Sequence, residues 1–186
     1  AQQRPDIPAD LGAQALDAAA LAATPAPVRA APKAVRYPEW MRALSLAGLY
    51  APWTGEALYD ATAPAAGQPF TAVHELMHMG GVADEGQANI HAYIACQRYG
   101  GAFARSADLW ALKYAMDALR LTDAAAWEAC LARLSAAVRA DFFALGGASP
   151  PAAANEAAEA FLRFVGIAEK VSNYSALVAW LAARIV

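Results

Sequence analysis

The sequence predicts a mainly α-helical domain with one short β-hairpin, and three observations lead to that fold class. Alanine and leucine dominate a chain in which 59% of the residues are hydrophobic, and alanine is the strongest helix former, whereas the β-branched residues that favour strands are sparse. Helical patterns recur along most of the chain. A convincing β pattern occurs only between Leu46 and Asp60. With 186 residues, the chain can form a single domain with a substantial core.

The first 36 residues are predicted to form a helix followed by a proline-rich arm. An amphipathic pattern covers Ala9–Ala23 and then gives way to a connector that excludes a continuous helix because of Pro25, Pro27 and Pro32. We expect this arm to lie along the surface or to lead back to an anchor. Residues 37–186 are predicted to form one domain, which begins with a short helix over Glu39–Leu46.

Residues 46–60 are predicted to form a hairpin, because two short apolar runs flank the turn residues Pro52–Gly55. We expect its second strand, Ala57–Asp60, to lie at the edge of the sheet, beside the helix that follows. Residues 64–69 are predicted to be a loop.

The next helix, predicted over Phe70–Met79, carries two of the three histidines of the chain. His74 and His78 are four residues apart, so on a helix they lie on one face, about 40° apart. Two neutral imidazoles in this arrangement can bind one zinc ion. Glu75 lies outside their stripe and can reach a water on that ion and take its proton.

A second helix is predicted from near Asp84 to Tyr99, because Gly80 and Gly81 can end the first helix and turn the chain. It offers Asp84 or Glu85 as a third ligand. We favour Glu85, since Asn89 lies one turn further along and can hydrogen-bond a ligating group. Asp84 has another natural role as the N-cap of this helix.

The rest of the chain is predicted to be helical and to surround the site. Gly146–Gly147 and Pro150–Pro151 mark a clear break between helices. Cys96 and Cys130 form no disulfide framework; two small buried side chains are expected, with a single bridge as the alternative. The predicted helices are Ser106–Leu121, Asp123–Leu145, Asn155–Ile167 and Ser175–Val186.

Composition excludes two classes of function. The net charge is −3, and the scattered Lys and Arg residues form no run that could neutralise several phosphates, so nucleic-acid binding is not expected. Charged residues interrupt every helix candidate before the roughly 20 apolar residues that a membrane span requires. We expect this piece to be soluble. It begins without Met, which suggests that a leading anchor or signal lies outside it.

Two known families resemble this chain. HELMH followed by EGQAN resembles the HExxH and ExxAD motifs of the CAAX-prenyl endopeptidases, with Asn89 in place of their Asp. A closer resemblance, strong over residues 32–120, is to an uncharacterised bacterial family of zinc-dependent HExxH peptidase type, usually with N-terminal transmembrane helices. It implies a zincin-like domain with His74, His78 and Glu85 as zinc ligands and Glu75 as the base. Gln87 departs from this family, which tends to be acidic there.

The resemblance also implies a location and further site residues. It suggests a protein that is membrane-anchored or extracytoplasmic in bacteria, touching the membrane only through an anchor absent from this chain. The segment SNYSALVAWL resembles the C-terminal part of the same family, which makes Tyr174 a candidate donor to a developing oxyanion, with Arg98 and Arg105 as rivals. In a zincin-like site, Ala57, Leu58 and Tyr59 would bind the backbone of an extended substrate.

The predicted function is therefore a zinc-dependent metallopeptidase, gluzincin-like in its ligand set, with a peptide or protein substrate. Glu75 would deprotonate a zinc-activated water while the metal polarises the scissile carbonyl. The competing interpretation is a non-catalytic zinc-bearing sensor or assembly domain of a membrane protein. A fourth coordination position open to water favours catalysis, whereas a fourth protein ligand favours a structural site.

Overall fold

The structure is a computed structural model that describes residues 10–44, 46–146 and 175–185. It is mainly helical with one small sheet, which confirms the predicted fold class. The predicted helix over Asn155–Ile167 lies outside the described residues. The helices are α1 (Leu11–Ala19), α2 (Glu39–Ala43), α3 (Gln68–Met79), α4 (Glu85–Tyr99), α5 (Gly101–Thr122), α6 (Ala124–Arg133), α7 (Ala136–Ala144) and α8 (Ser175–Ile185).

The sheet has three strands: β1 (Lys33–Val35), β2 (Gly48–Ala51) and β3 (Glu56–Asp60). β2 and β3 form the predicted antiparallel hairpin, and β1 pairs with the other side of β3 in parallel. The strand order is therefore β1-β3-β2. The expectation that Ala57–Asp60 is an edge strand is wrong, because β3 is central and both of its edges are already hydrogen-bonded.

The main core lies between α1, α3, α4, α5 and β3. α1 contributes one stripe of buried residues at helical spacing, namely Leu11, Ala15, Ala18 and Ala19. Because three of these are alanines, α1 can approach α3 closely. On the sheet side, Ala57 and Tyr59 of β3 pack against the same cluster. α3 is thereby enclosed between a helix and a strand, and its orientation is fixed.

The predicted helix over Asp123–Leu145 is in fact two helices, α6 and α7. The chain becomes extended at Leu134 (ψ 139°), and the Ser135 hydroxyl accepts a hydrogen bond from the Val138 N–H, which starts α7. Serine is a strong N-cap, so the break had a signal in the sequence that the apolar pattern obscured.

The boundary predicted between residues 36 and 37 stays a prediction, although the two parts are closely packed. α1 lies in the same core as α3, and β1 belongs to the same sheet as the hairpin. Among the described residues, no helix has both the length and the apolar character that a membrane span requires.

Candidate metal centre

α3 carries His74 and His78 on one face, and their rings converge. The ring centroids are 4.7 Å apart with an edge-to-face orientation, and the two Nε2 atoms are 3.1 Å apart. The ring of Phe70, one turn before His74, is 6.2 Å from the His74 ring. Both Nε2 atoms therefore point toward the same small volume beside the helix.

The turn after α3 orients His78. Gly81 has φ +88°, a conformation that glycine adopts without strain, and the chain then folds back so that the Val82 N–H donates to the Met77 carbonyl. The Val82 carbonyl oxygen comes within 2.7 Å of His78 Nδ1. A carbonyl can only accept, so Nδ1 carries the proton. In the neutral ring, the lone pair of Nε2 is then available for a metal.

α4 starts at Glu85 and brings its carboxylate to the histidines. The Asp84 side chain accepts a hydrogen bond from the Gln87 N–H and caps the helix, as expected. Glu85 Oε2 is 3.2 Å from His74 Nε2, and Oε1 is 3.4 Å from His78 Nε2. Of the two carboxylates that the sequence offered, the structure brings Glu85 to the pair.

The spacing of these atoms fits one tetrahedral cation. Ligand atoms of His74, His78 and Glu85 all lie within 4.8 Å of one another. Two ligands that are each about 2.0–2.1 Å from zinc, at a tetrahedral angle, are separated by about 3.3 Å. The two Nε2 atoms are 3.1 Å apart, and each lies near a different oxygen of the Glu85 carboxylate, at 3.2 Å and 3.4 Å, so these pairwise separations are close to that value. These residues could therefore hold one metal ion.

Without a metal, Glu85 and His78 hold complementary charges. Burial alone would lower the pKa of His78, but its hydrogen bond to Glu85 and the negative charges of Glu75 and Glu85 outweigh burial and raise the pKa to about 9. Burial opposes ionisation of Glu85 too, yet hydrogen bonds from His74 and His78 hold its pKa well below the usual range. A metal ion would replace the proton that His78 carries at neutral pH.

Glu75 lies beside this group and is only 6% exposed. Burial raises the pKa of its carboxyl; the neighbouring histidines oppose that rise, and the charge of Glu85 adds to it. The nearby backbone of Tyr50 in β2 also lowers the pKa of this carboxyl, by less than burial raises it. The carboxylate also lies directly against Gly48, the first residue of that strand. A carboxyl whose pKa is raised by burial next to a metal site is suited to proton transfer near neutral pH.

The structure does not support two other expected roles. Ala57 and Tyr59 are buried in the core, and because β3 is central, Ala57, Leu58 and Tyr59 cannot pair with a substrate backbone. Asn89 is fully buried one turn from Glu85, but within the described residues its carboxamide makes no hydrogen bond, so the expected bond to a ligating group is not present. His74 Nδ1 is likewise buried without a partner in that part of the chain.

Two of the three candidate oxyanion donors, Arg98 and Arg105, are paired with other groups. Tyr174 lies outside the described residues. Arg98 donates to the Leu21 carbonyl after α1, and Arg105 pairs with Asp141 of α7. The two cysteines, Cys96 and Cys130, are unbridged.

Sequence reasoning missed three backbone elements of the site. These are the Val82 carbonyl that orients His78, the Tyr50 amide that contacts Glu75, and the bare Cα of Gly48. Only Gly48 left a signal, since a glycine within a strand pattern often marks the close approach of another group. The two backbone contacts depend on how the chain folds back and have no side-chain signature.

Comparison with protein families identifies the family of this chain. A family model described as "Protein of unknown function (DUF3810)" matches residues 10–182, which is most of the chain. Neither the curated proteins nor the solved structures contain a significant match.

Proposed function

Because this chain belongs to the DUF3810 family, whose description assigns no activity, its function must be inferred from the site, and we propose that it is a zinc-dependent peptidase. The observation that carries the proposal is the convergence of His74, His78 and Glu85, whose ligand atoms lie within 4.8 Å of one another. Zinc held by two histidines and a glutamate, when bound, polarises a carbonyl oxygen and lowers the pKa of a water.

Glu75 is the proposed general base. It is adjacent to His74 in sequence but is not one of the three converging residues, and its buried carboxyl has a raised pKa. It takes the proton of the attacking water and passes it to the leaving amine. A purely structural zinc site has no use for such a carboxylate, so Glu75 favours catalysis over the competing sensor or assembly role.

The substrate strand in this proposal is β2 rather than β3. The Asp60 N–H donates to the Ala47 carbonyl, and Leu49 pairs opposite Leu58, so the backbone groups of Ala47 and Leu49 face β3. Those of Gly48 and Tyr50 consequently face away from β3, on a side where no strand of the described residues pairs. An extended peptide can add there, next to Glu75.

Substitution of Glu75 by glutamine tests the mechanism. Glu75→Gln keeps the size of the side chain but cannot accept a proton, so turnover is expected to fall by about 10²–10⁴-fold while one zinc per chain stays bound. Zinc content is measured by elemental analysis, and cleavage is measured on a peptide library by mass spectrometry. Glu128→Gln, an exposed change on α6, is the control and is expected to keep full activity.

The outcomes separate the candidate functions. Cleavage retained by zinc-loaded Glu75→Gln would exclude Glu75 as the base. One bound zinc without cleavage of any peptide in the wild type would favour the non-catalytic zinc domain. Failure of the wild type to bind zinc would overturn both.

A further inference from the structure

Strand β2 approaches α3 so closely at Gly48 that there is no room for a side chain. A Cβ added at Gly48 would lie 2.5 Å from Glu75 Oε1, 2.7 Å from its Cγ and 2.9 Å from its Cδ. Contacts this short do not occur between real Cβ atoms and other heavy atoms. The three nearest atoms all belong to Glu75, so the space that a side chain at residue 48 would need is filled by this one carboxylate arm.

The backbone at residue 48 does not itself require glycine. Gly48 is not among the glycines with positive φ, so any residue could adopt its conformation. Glycine inside a strand lowers stability and contributes no packing. Space for Glu75 is therefore the structural reason for glycine at this position.

The backbone of Tyr50, two residues along the same strand, also approaches Glu75 closely enough to lower the pKa of its carboxyl. The whole side chain is buried, with the charges of His74, His78 and Glu85 close enough to influence its ionisation. Gly48 thus leaves the space that the buried Glu75 carboxylate occupies beside β2.

We propose that Gly48 is a positioning residue for Glu75: its missing side chain lets the carboxylate lie between β2 and the His74–His78–Glu85 group. The catalytic part of this inference rests on the proposed function, because it assigns to Glu75 the role of base. The packing part stands independently.

A thermal double-mutant cycle on the metal-free, full-length chain tests the packing part. Gly48→Ala is expected to lower the Tm by about 2–10 °C, because overpacking a well-filled site is destabilising. In a Glu75→Ala background the same change should cause no loss, since the atoms it meets are gone. In a Glu75→Gln background the loss should persist, because glutamine fills the same space. If Gly48→Ala lowered the Tm equally in the wild-type and Glu75→Ala backgrounds, or lowered it in neither, the proposal would be overturned.

Gly80→Ala is the matched control. Gly80 lies at the end of α3, and a Cβ added there would also be crowded, because it would lie 2.8 Å from the Thr24 side chain. It would not meet Glu75. Its effect on the Tm should be the same in all three backgrounds. If Gly48→Ala prevents folding, Glu75→Ala should restore it, and failure to do so would contradict the inference.

Zinc affinity and turnover test the positioning part. Gly48→Ala should bind zinc within about threefold of the wild type, because the ligands are untouched, while kcat falls at least tenfold with little change in KM. If the thermal cycle showed coupling between residues 48 and 75 but Gly48→Ala left kcat unchanged, Gly48 would have no positioning role in turnover. If the wild type has no peptidase activity, the proposed function fails, yet the thermal cycle still decides whether Gly48 makes room for Glu75.

Discussion

His78 links metal binding to pH. In the metal-free protein its pKa is about 9, so Nε2 is protonated at neutral pH, whereas Glu85 is ionised throughout this range because its pKa is lowered. A metal that binds Nε2 must displace that proton. Zinc affinity is therefore expected to rise about tenfold per pH unit between pH 6 and 8 and to level off above about pH 9.

Calorimetric titration at several pH values in buffers of different ionisation enthalpy measures both the affinity and the proton released. An affinity that does not change with pH would mean that His78 is already neutral before the metal binds.

At single residues, the sequence predicted what one helix geometry dictates. The convergence of His74 and His78 follows from their spacing, and the choice of Glu85 over Asp84 followed from recognising Asp84 as a cap. The crowding of Glu75 against Gly48 could not be predicted, because it depends on where a strand 27 residues earlier crosses the helix. Asn89 was placed on the correct face, but the partner of its buried carboxamide cannot be read from spacing.

At the scale of elements, the turn between α3 and α4 is a place where one substitution should change both stability and zinc binding. Gly81 has φ +88°, so Gly81→Ala is expected to cost about 1–2 kcal/mol of stability. It should also move the Val82 carbonyl away from His78 Nδ1 and weaken zinc binding about tenfold or more, as loss of an orienting partner typically does. Chemical denaturation and a zinc titration measure the two effects.

Gly100→Ala provides the control for this turn. Gly100 has φ +85°, no atom of the described residues lies within 4 Å of its added Cβ, and it joins α4 to α5 away from the metal ligands. A stability loss at least as large is expected, because its ψ of −168° lies in a region that essentially only glycine adopts, and zinc affinity should be unchanged. If Gly81→Ala left zinc affinity intact, the Val82 carbonyl would not be what orients His78.

The sequence predicted which segments form strands better than it predicted which strands pair with one another. The apolar runs on either side of Pro52–Gly55 were enough to predict the hairpin. They could not indicate that Lys33–Val35, three residues within a proline-rich segment, would pair with β3 and make it central. Parallel pairing joins residues distant in sequence and leaves little local signal, so the edge was assigned to the wrong strand.

For the whole molecule, zinc is expected to stabilise the fold, because the ligands come from two helices that pack together. At a zinc concentration one hundred times the Kd, the gain is about 2.7 kcal/mol, which for a chain of this size raises the Tm by about 5–10 °C. A chelator should reverse the rise. His78→Ala should abolish it, whereas His91→Ala, which changes the histidine outside the ligand group, should not. Equal stabilisation of both variants would place the bound zinc elsewhere.

The N-terminal segment braces the turn that joins α3 to α4. Thr24 lies against Gly80, and the Ala26 N–H donates to the Gly80 carbonyl. Truncation at residue 37 would remove this brace together with the alanine-faced α1 and strand β1. A recombinant fragment that starts there should expose hydrophobic surface on α3 and lose the rigidity on which the His78 geometry depends. Deletion mapping of the smallest folded unit should therefore reach a limit near Asp10, well before the proline-rich segment.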